Sequence, residues 1–286
     1  MNIFLTGASG FVGSAFINYV KSKNKIFIYS IGNSNIKNKK IKYCKGRLDT
    51  NFEKELLDSD VLLHLASEGV NNQNISYKKM YKTNVTDSLK LFKSAIRNQC
   101  LNWVVVGSSS EYGRVSYIKK KLNKNDLPKP VSNYAKTKYI FIKKVISLAK
   151  KKQANLRVMR IFPLYGENEN KNRLFSLATR NAKKNKNIEL NNGLQQRDYL
   201  NVKIAAKMLF ESLFFKKKKS KNHVIEIWHI ASGRPILIKD FVKKIYNKLS
   251  SKGKIILKDK NKLIDNLHHC SDRISIWNYS KIDKKK

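Results

Sequence analysis

Apolar positions in the first half of the chain fall into short runs separated by amphipathic stretches. Asn2 to Thr6 reads as a buried strand and Phe11 to Lys21 as the helix that follows it. Ile26 to Ser30, Ile41 to Cys44, Asp60 to Leu65 and Asn102 to Gly107 read as four further strands, with a long helix around Tyr77 to Asn98 before the last. Ser132 to Lys152 has helical periodicity, and Asn155 to Ile161 is the next strand. Strand and helix in alternation predict an α/β fold, a doubly wound parallel sheet of the Rossmann type with right-handed crossovers.

After Gly166 the rhythm changes. A polar stretch, Glu167 to Asn172, leads to a helix near Leu174 to Lys184 and a short strand at Ile188 to Leu190. A helix around Val202 to Phe215 ends in the lysines 216–219, and Val224 to Ile230 is apolar enough to return to the main sheet. From Ile236 the pattern reads as a helix, a strand at Lys254 to Leu257 and a polar tail. The expected division is a dinucleotide-binding domain of residues 1–166 and 200–231. A smaller C-terminal α/β substrate lobe takes 167–199 and 232–286.

The chain has 286 residues, 41% of them hydrophobic, enough for a sizeable core and too many for a disordered chain. Its formal charge is +40, carried by fifty lysines and ten arginines spread along the whole length. Scattered lysine is the signature of solvated surface rather than of a dedicated nucleic-acid face, so no specific nucleic-acid partner is expected. Cys44, Cys100 and Cys270 are far apart and odd in number, against a disulfide framework or a cysteine-based metal site. His268 and His269 are adjacent, so they point different ways and read as surface or structural residues. No apolar run spans a bilayer, and no basic leader opens the chain; a cytoplasmic protein is expected.

Where the first strand meets the first helix, glycines stand at Gly7, Gly10 and Gly13. That spacing allows a tight turn, close backbone approach to a pyrophosphate and close packing of helix on sheet, with free helix amides facing the phosphates. Ser9, Phe11 and Val12 complete the expected cofactor turn. A carboxylate at the end of the second strand would grip the ribose of NAD, but Ser30 to Asn33 contains none. Ser30, Asn33 or Lys37 could hold a 2′-phosphate, so NADP is favoured with NAD as the alternative.

Tyr134 and Lys138 lie four apart on the helix opened by Ser132 and so share one face. A neighbouring ammonium is expected to lower a tyrosine pKa and make the pair a proton donor and acceptor. Ser108, Ser109 and Ser110 follow the fifth strand, at the carboxyl end of the sheet where such folds bind ligands.

With the glycine turn, these residues resemble the extended short-chain dehydrogenase/reductase family that works on nucleotide sugars, the NAD-dependent epimerase/dehydratase group. The resemblance also covers His64 to Ala66, Thr83 to Val85, Arg160 to Gly166 and Gly193 to Leu200. It implies Ser108, Tyr134 and Lys138 as catalytic residues, and Leu48, Leu65, Ala66 and Asn84, with Tyr134 and Lys138, around the cofactor. It further implies Ser109, Ser110 and Arg197 at the substrate, no metal, a nucleotide-sugar partner and a possible homodimer.

The 4,6-dehydratases of this family carry an acid pair directly after the catalytic hydroxyl, and here those positions are Ser109 and Ser110. Glu111 comes one residue later, which in an extended segment turns it to the opposite face. The loop from Gly107 to Gly113 is similar to that of GDP-4-keto-6-deoxymannose reductases. Gly193 to Leu200 and Cys270 to Asp272 look more like CDP-abequose and paratose synthases. The expectation is therefore NAD(P)-dependent reduction of a nucleotide 4-keto-6-deoxy sugar at C4. A nucleotide-sugar 4-epimerase with retained NAD is the alternative, and a non-catalytic RNA-binding protein on the same fold is the rival from another class.

Overall fold

In the computed structural model, which describes residues 1–31, 39–70, 74–215, 223–258 and 269–278, six strands follow one another into one sheet. They are β1 (Asn2–Thr6), β2 (Phe27–Ile31), β3 (Ile41–Cys44), β4 (Val61–His64), β5 (Asn102–Ser108) and β6 (Asn155–Ile161). The next four, β7 (Leu164–Tyr165), β8 (Ile188–Leu190), β9 (Gln196–Arg197) and β10 (Leu200–Asn201), stay outside it. β11 (Ile225–Ile230) then returns to the edge beside β6, as its apolar run predicts, and β12 (Ile236–Leu237) and β13 (Ile255–Leu257) follow. The sheet runs β11-β6-β5-β4-β1-β2-β3 with every pairing parallel, which is the doubly wound α/β arrangement.

Helices α1 (Phe11–Val20), α2 (Glu53–Leu57), α3 (Tyr77–Tyr81), α4 (Ser88–Arg97), α5 (Val115–Ile118), α6 (Asn133–Lys152), α7 (Leu174–Lys183), α8 (Val202–Ser212) and α9 (Ile238–Lys248) cover it and extend the lobe. Alternation along each strand sorts the core. Ile3 and Leu5 of β1 face α1 and α8 with Phe16, Ile17 and Leu209, while Phe4 faces the other way, toward Phe92, Trp103 and Phe141. Each such side chain contributes about 1.5–3 kcal/mol on burial, so a strand apolar at every position is stable only inside two layers. A third apolar cluster, built by Ala178, Ile188, Val242 and Ile245, joins α7, β8 and α9.

Two expectations need correction. The single helix foreseen from Tyr77 to Asn98 is α3 and α4 joined by a π-helical segment, Lys82–Asp87. The extra residue per turn carries Asn84, Val85 and Asp87 all inward. The helix foreseen to Phe215 ends at Ser212, and the lysines 216–219 lie outside the described residues. Among the described residues no helix is long and apolar enough to cross a membrane, no group of side chains could hold a metal ion, and the three cysteines are free and buried.

Candidate active site

Three glycines shape the turn from β1 into α1. Gly7 has a φ of +74°, and a Cβ on it would stand 2.7 Å from the Ala66 nitrogen. A Cβ on Gly13 would stand 2.1 Å from the Gly7 carbonyl oxygen. Gly10 donates to that same oxygen at 3.1 Å and begins α1 with no side chain capping its amides. Ser9 and Gly10 are exposed, with Phe11 and Val12 half-buried behind them. Uncapped amides at the positive end of a ten-residue helix fit a pyrophosphate, so the residues present suit a dinucleotide.

The far wall of this turn comes from β4. Thr6 accepts from the Ala66 amide at 3.1 Å and meets His64 Nδ1 at 2.9 Å, holding Leu65 and Ala66 against Gly7. Burial, and then the charge of Lys138, push the His64 pKa down to about 3, so its imidazole is neutral. Leu48, after β3, is half-buried. Ser30 is fully buried one residue before the end of β2, its hydroxyl 3.5 Å from the Ile31 carbonyl oxygen. Asn33 and Lys37, the other residues foreseen near a 2′-phosphate, lie outside the described residues.

Asn84 spends its whole side-chain amide on the protein. Its oxygen accepts from Glu68 N at 2.7 Å and Ser67 Oγ at 3.2 Å, and its nitrogen donates to Glu68 O at 3.1 Å and Thr137 Oγ1 at 3.0 Å. It therefore joins the loop after β4 to the helix that carries Tyr134 and Lys138.

That helix, α6, starts at Ser132, whose hydroxyl accepts from the Ala135 amide at 3.2 Å. Tyr134 is half-buried with Ser108 and Ser67 facing its phenol. Burial first, and the Glu111 charge second, raise its pKa to about 12, while Ser108 and Ser67 oppose the rise. Lys138 is 2% exposed, and burial lowers its pKa to about 8. The expected lowering of Tyr134 by Lys138 is not what this arrangement produces. Removing phenolate from water outweighs the help of a lysine whose own charge is disfavoured by burial. Ser67 was not foreseen at this site; only its position directly after His64 to Ala66 marks it in the sequence.

Ser108 ends β5 at the carboxyl edge of the sheet, and its hydroxyl meets that of Ser110 at 2.8 Å. Ser109 to Tyr112 form a 3-10 turn, not the extended segment assumed from the sequence. That turn folds the Glu111 side chain back onto the Ser108 backbone. Its carboxylate is completely buried, accepting from Ser108 N at 2.7 Å and from Arg160 Nε at 3.0 Å. Ser109 is 5% exposed and packed inward, and Ser110 is half-buried beside Ser108.

Arg197, on β9, is half-buried; its guanidinium donates to Gln196 O at 2.9 Å and Gln195 Oε1 at 2.5 Å. Its neighbour Asp198 is fully buried and accepts from Ser232 N, Ser232 Oγ, Gly233 N and Ser271 N. Asp198 thus locks the strand that presents Arg197. His269 is structural, pairing backbone with Gln196 and Asp198, and His268 lies outside the described residues.

The family model described as "NAD dependent epimerase/dehydratase family" matches residues 3–227. No curated protein matches the sequence. Among solved structures, the UDP-N-acetylglucosamine 4-epimerase of Methanobrevibacter ruminantium, in complex with UDP-N-acetylmuramic acid, superposes with a TM-score of 0.82 at 23% identity, over 98% of this chain and 91% of that one. The UDP-glucose 4-epimerase of Thermotoga maritima, with UDP-glucose, gives 0.80 at 18% identity over 98% and 91%. The dTDP-glucose 4,6-dehydratase of Bacillus anthracis, in complex with NAD, gives 0.76 at 20% identity over 100% and 90%. Similarity at these identities shows a shared fold.

Proposed function

The chain belongs to the NAD dependent epimerase/dehydratase family, and on that premise we propose that it reduces the C4 keto group of a nucleotide-activated 4-keto-6-deoxy sugar. The observation that carries this reading is the turn after β5: Ser109 and Ser110 offer no acid beside Ser108, and the Glu111 carboxylate is taken up by Ser108 N and Arg160, which leaves Tyr134 as the proton donor. A phenol with its pKa raised to about 12 holds its proton at neutral pH, as a donor to a developing alkoxide must.

The dinucleotide supplies the hydride. Gly7, Gly10 and Gly13 bind its pyrophosphate at the start of α1, and Leu65 and Ala66 form the opposite wall. Ser108 donates a hydrogen bond to the carbonyl oxygen where negative charge develops. Tyr134 then gives its proton to that oxygen. Lys138 anchors the cofactor ribose beside the phenol. Arg197, held by Asp198, pairs with the substrate diphosphate. The lack of a carboxylate in Ser30–Ile31 at the end of β2 supports NADP over NAD.

A second reading, a 4-epimerase with retained NAD, is favoured by the UDP-sugar epimerases among the structural relatives. One experiment separates the two. Anaerobic mixing with NADPH or NADH and a panel of nucleotide 4-keto-6-deoxy sugars should consume nicotinamide absorbance one for one with sugar, NADPH binding more tightly. Sugar interconversion without net loss of reduced cofactor would establish the epimerase. A tenfold or greater preference for NADH, about 1.4 kcal/mol, would overturn the cofactor assignment.

A further inference from the structure

Ser271 stands where the two halves of the candidate site meet, and it bonds to both. Buried at 1% exposure, it belongs to a stretch of chain stitched to three elements in turn. His269 pairs with Arg197 of β9, Ser271 with Leu122 in the chain after α5, and Ile276 with His229 of β11.

Toward the substrate lobe, the Ser271 amide donates to Asp198 Oδ2 at 3.3 Å, and the Asp198 amide donates to the His269 carbonyl oxygen at 2.9 Å. Asp198 directly follows Arg197, so this end of the stretch fixes the strand that carries the guanidinium.

Toward the sheet, the hydrogen bonds have one possible direction. Arg160 only donates, and its Nη1 reaches Tyr112 Oη at 2.9 Å. Tyr112 is completely buried and must give its own proton to His229 Nε2 at 2.5 Å. His229 therefore carries its proton on Nδ1 and donates it to Ser271 Oγ at 2.7 Å, while the Ser271 proton goes to the Asp272 carbonyl oxygen at 2.8 Å. Burial, with Arg160 and Lys124 adding, lowers the His229 pKa to about 3, so the ring is neutral and keeps this tautomer. Tyr112 ends the 3-10 turn that begins after Ser108, and Arg160 also holds Glu111, which accepts the Ser108 amide at 2.7 Å. The row thus runs from the Ser271 hydroxyl to the backbone of Ser108.

A nucleotide sugar gripped at its diphosphate reacts several bonds away, at C4. The span from the grip to the Ser108 hydroxyl decides whether the carbonyl meets its donor. We propose that Ser271 is the positioning residue that sets this span, joining the Arg197 strand through its amide to the Ser108 turn through its hydroxyl. The proposal rests on Arg197 and Ser108 having the roles given them under the proposed function.

The test compares Ser271→Ala, which keeps the amide and removes the hydroxyl, with Tyr112→Phe and the double variant. The rate followed is whichever of 4-keto reduction or 4-epimerisation the parent performs. A failure of the reductase assignment then shows in the parent, and a failure of this proposal only in the variants. Ser271→Ala should lower kcat by about tenfold or more, since a misplacement of about 1 Å can cost about 10²-fold. KM, and affinity for the tightest binder among CDP, GDP, UDP and dTDP, should stay unchanged because Asp198 still holds Arg197. The double variant should be no slower than the slower single one, because both changes break one row, whereas independent structural defects multiply. With no substrate present, the Ser108 amide should exchange with deuterium faster in both single variants than in the parent. Parental kcat in Ser271→Ala, nucleotide affinity that falls as far as kcat, losses that multiply, or an unchanged Ser108 exchange rate overturns the proposal.

Discussion

Asn84, in the π-helical segment between α3 and α4, donates to the hydroxyl of Thr137 at 3.0 Å, one residue before the lysine of the candidate site. Fifty-three residues apart in sequence, the two make a direct polar tie between the loop after β4 and α6.

Asn84→Ala should therefore both destabilise the fold and loosen the site. Leaving buried partners of a lost amide unsatisfied costs about 1–3 kcal/mol. Urea denaturation should show a lower midpoint with an unchanged slope, and turnover of the folded variant should fall. A midpoint equal to that of the parent would mean that water replaces the amide without loss.

Tyr134→Phe should cut kcat by about 10²- to 10⁴-fold, the usual worth of a general acid. Cofactor affinity, read by fluorescence titration, should change little because the ring remains against its neighbours. Near-parental kcat would remove Tyr134 from the role of donor.

Lys138 makes the unliganded fold less stable than it need be. Its folded pKa, about 8, lies below the ordinary lysine value of 10.5, so between those pH values the unfolded chain binds a proton the folded chain does not. Stability from this group thus rises with pH across that window and is lowest below it, where a buried ammonium must be kept. Lys138→Met should melt at a higher temperature than the parent at pH 7, with the gap closing as the pH passes from 8 to 10.5. Calorimetry that finds the variant less stable at pH 7 would contradict this.

Nucleotide hexoses that have not been oxidised should yield no 4-keto product on long incubation with NAD, as judged by chromatography of the nucleotide sugar. Ser109 and Ser110 offer hydroxyls whose pKa lies far from the working pH. Glu111, the nearby carboxylate, is occupied by Ser108 N and Arg160. Accumulation of the product would show that the carboxylate leaves Arg160 during turnover and that the reductase assignment is wrong.

The central strands were legible because they are buried on both faces, as in Asn2–Thr6 and Val61–His64, and the edge strand Ile41–Cys44 also coincides with its run. The glycine turn was legible for a similar reason, since Gly7 and Gly13 sit where a Cβ does not fit. Features decided by tertiary contact were not. The five-residue α2 is too short to show a period, and the π-helical segment keeps the helical pattern while shifting its phase. Glu111 was set aside on the assumption of an extended segment, whereas its place depends on Arg160, forty-nine residues away, and on a 3-10 turn in which a period of two does not apply. The raised Tyr134 pKa was equally hidden, because spacing on a helix says which residues are neighbours and nothing of how much water they lose.

The return of β11 to the sheet edge has a consequence for biogenesis. β6 gains its outer neighbour only when Glu226 arrives to meet Arg157 across sixty-nine residues of chain. Until then a nascent polypeptide emerging from the ribosome offers the outer edge of β6, Asn155–Ile161, with its backbone groups unmatched. Such an edge is a template for another chain, and closing so long a loop is slow. The interval between translating β6 and translating β11, rather than the strength of the finished sheet, is thus where this molecule is most exposed to chaperone capture and self-association.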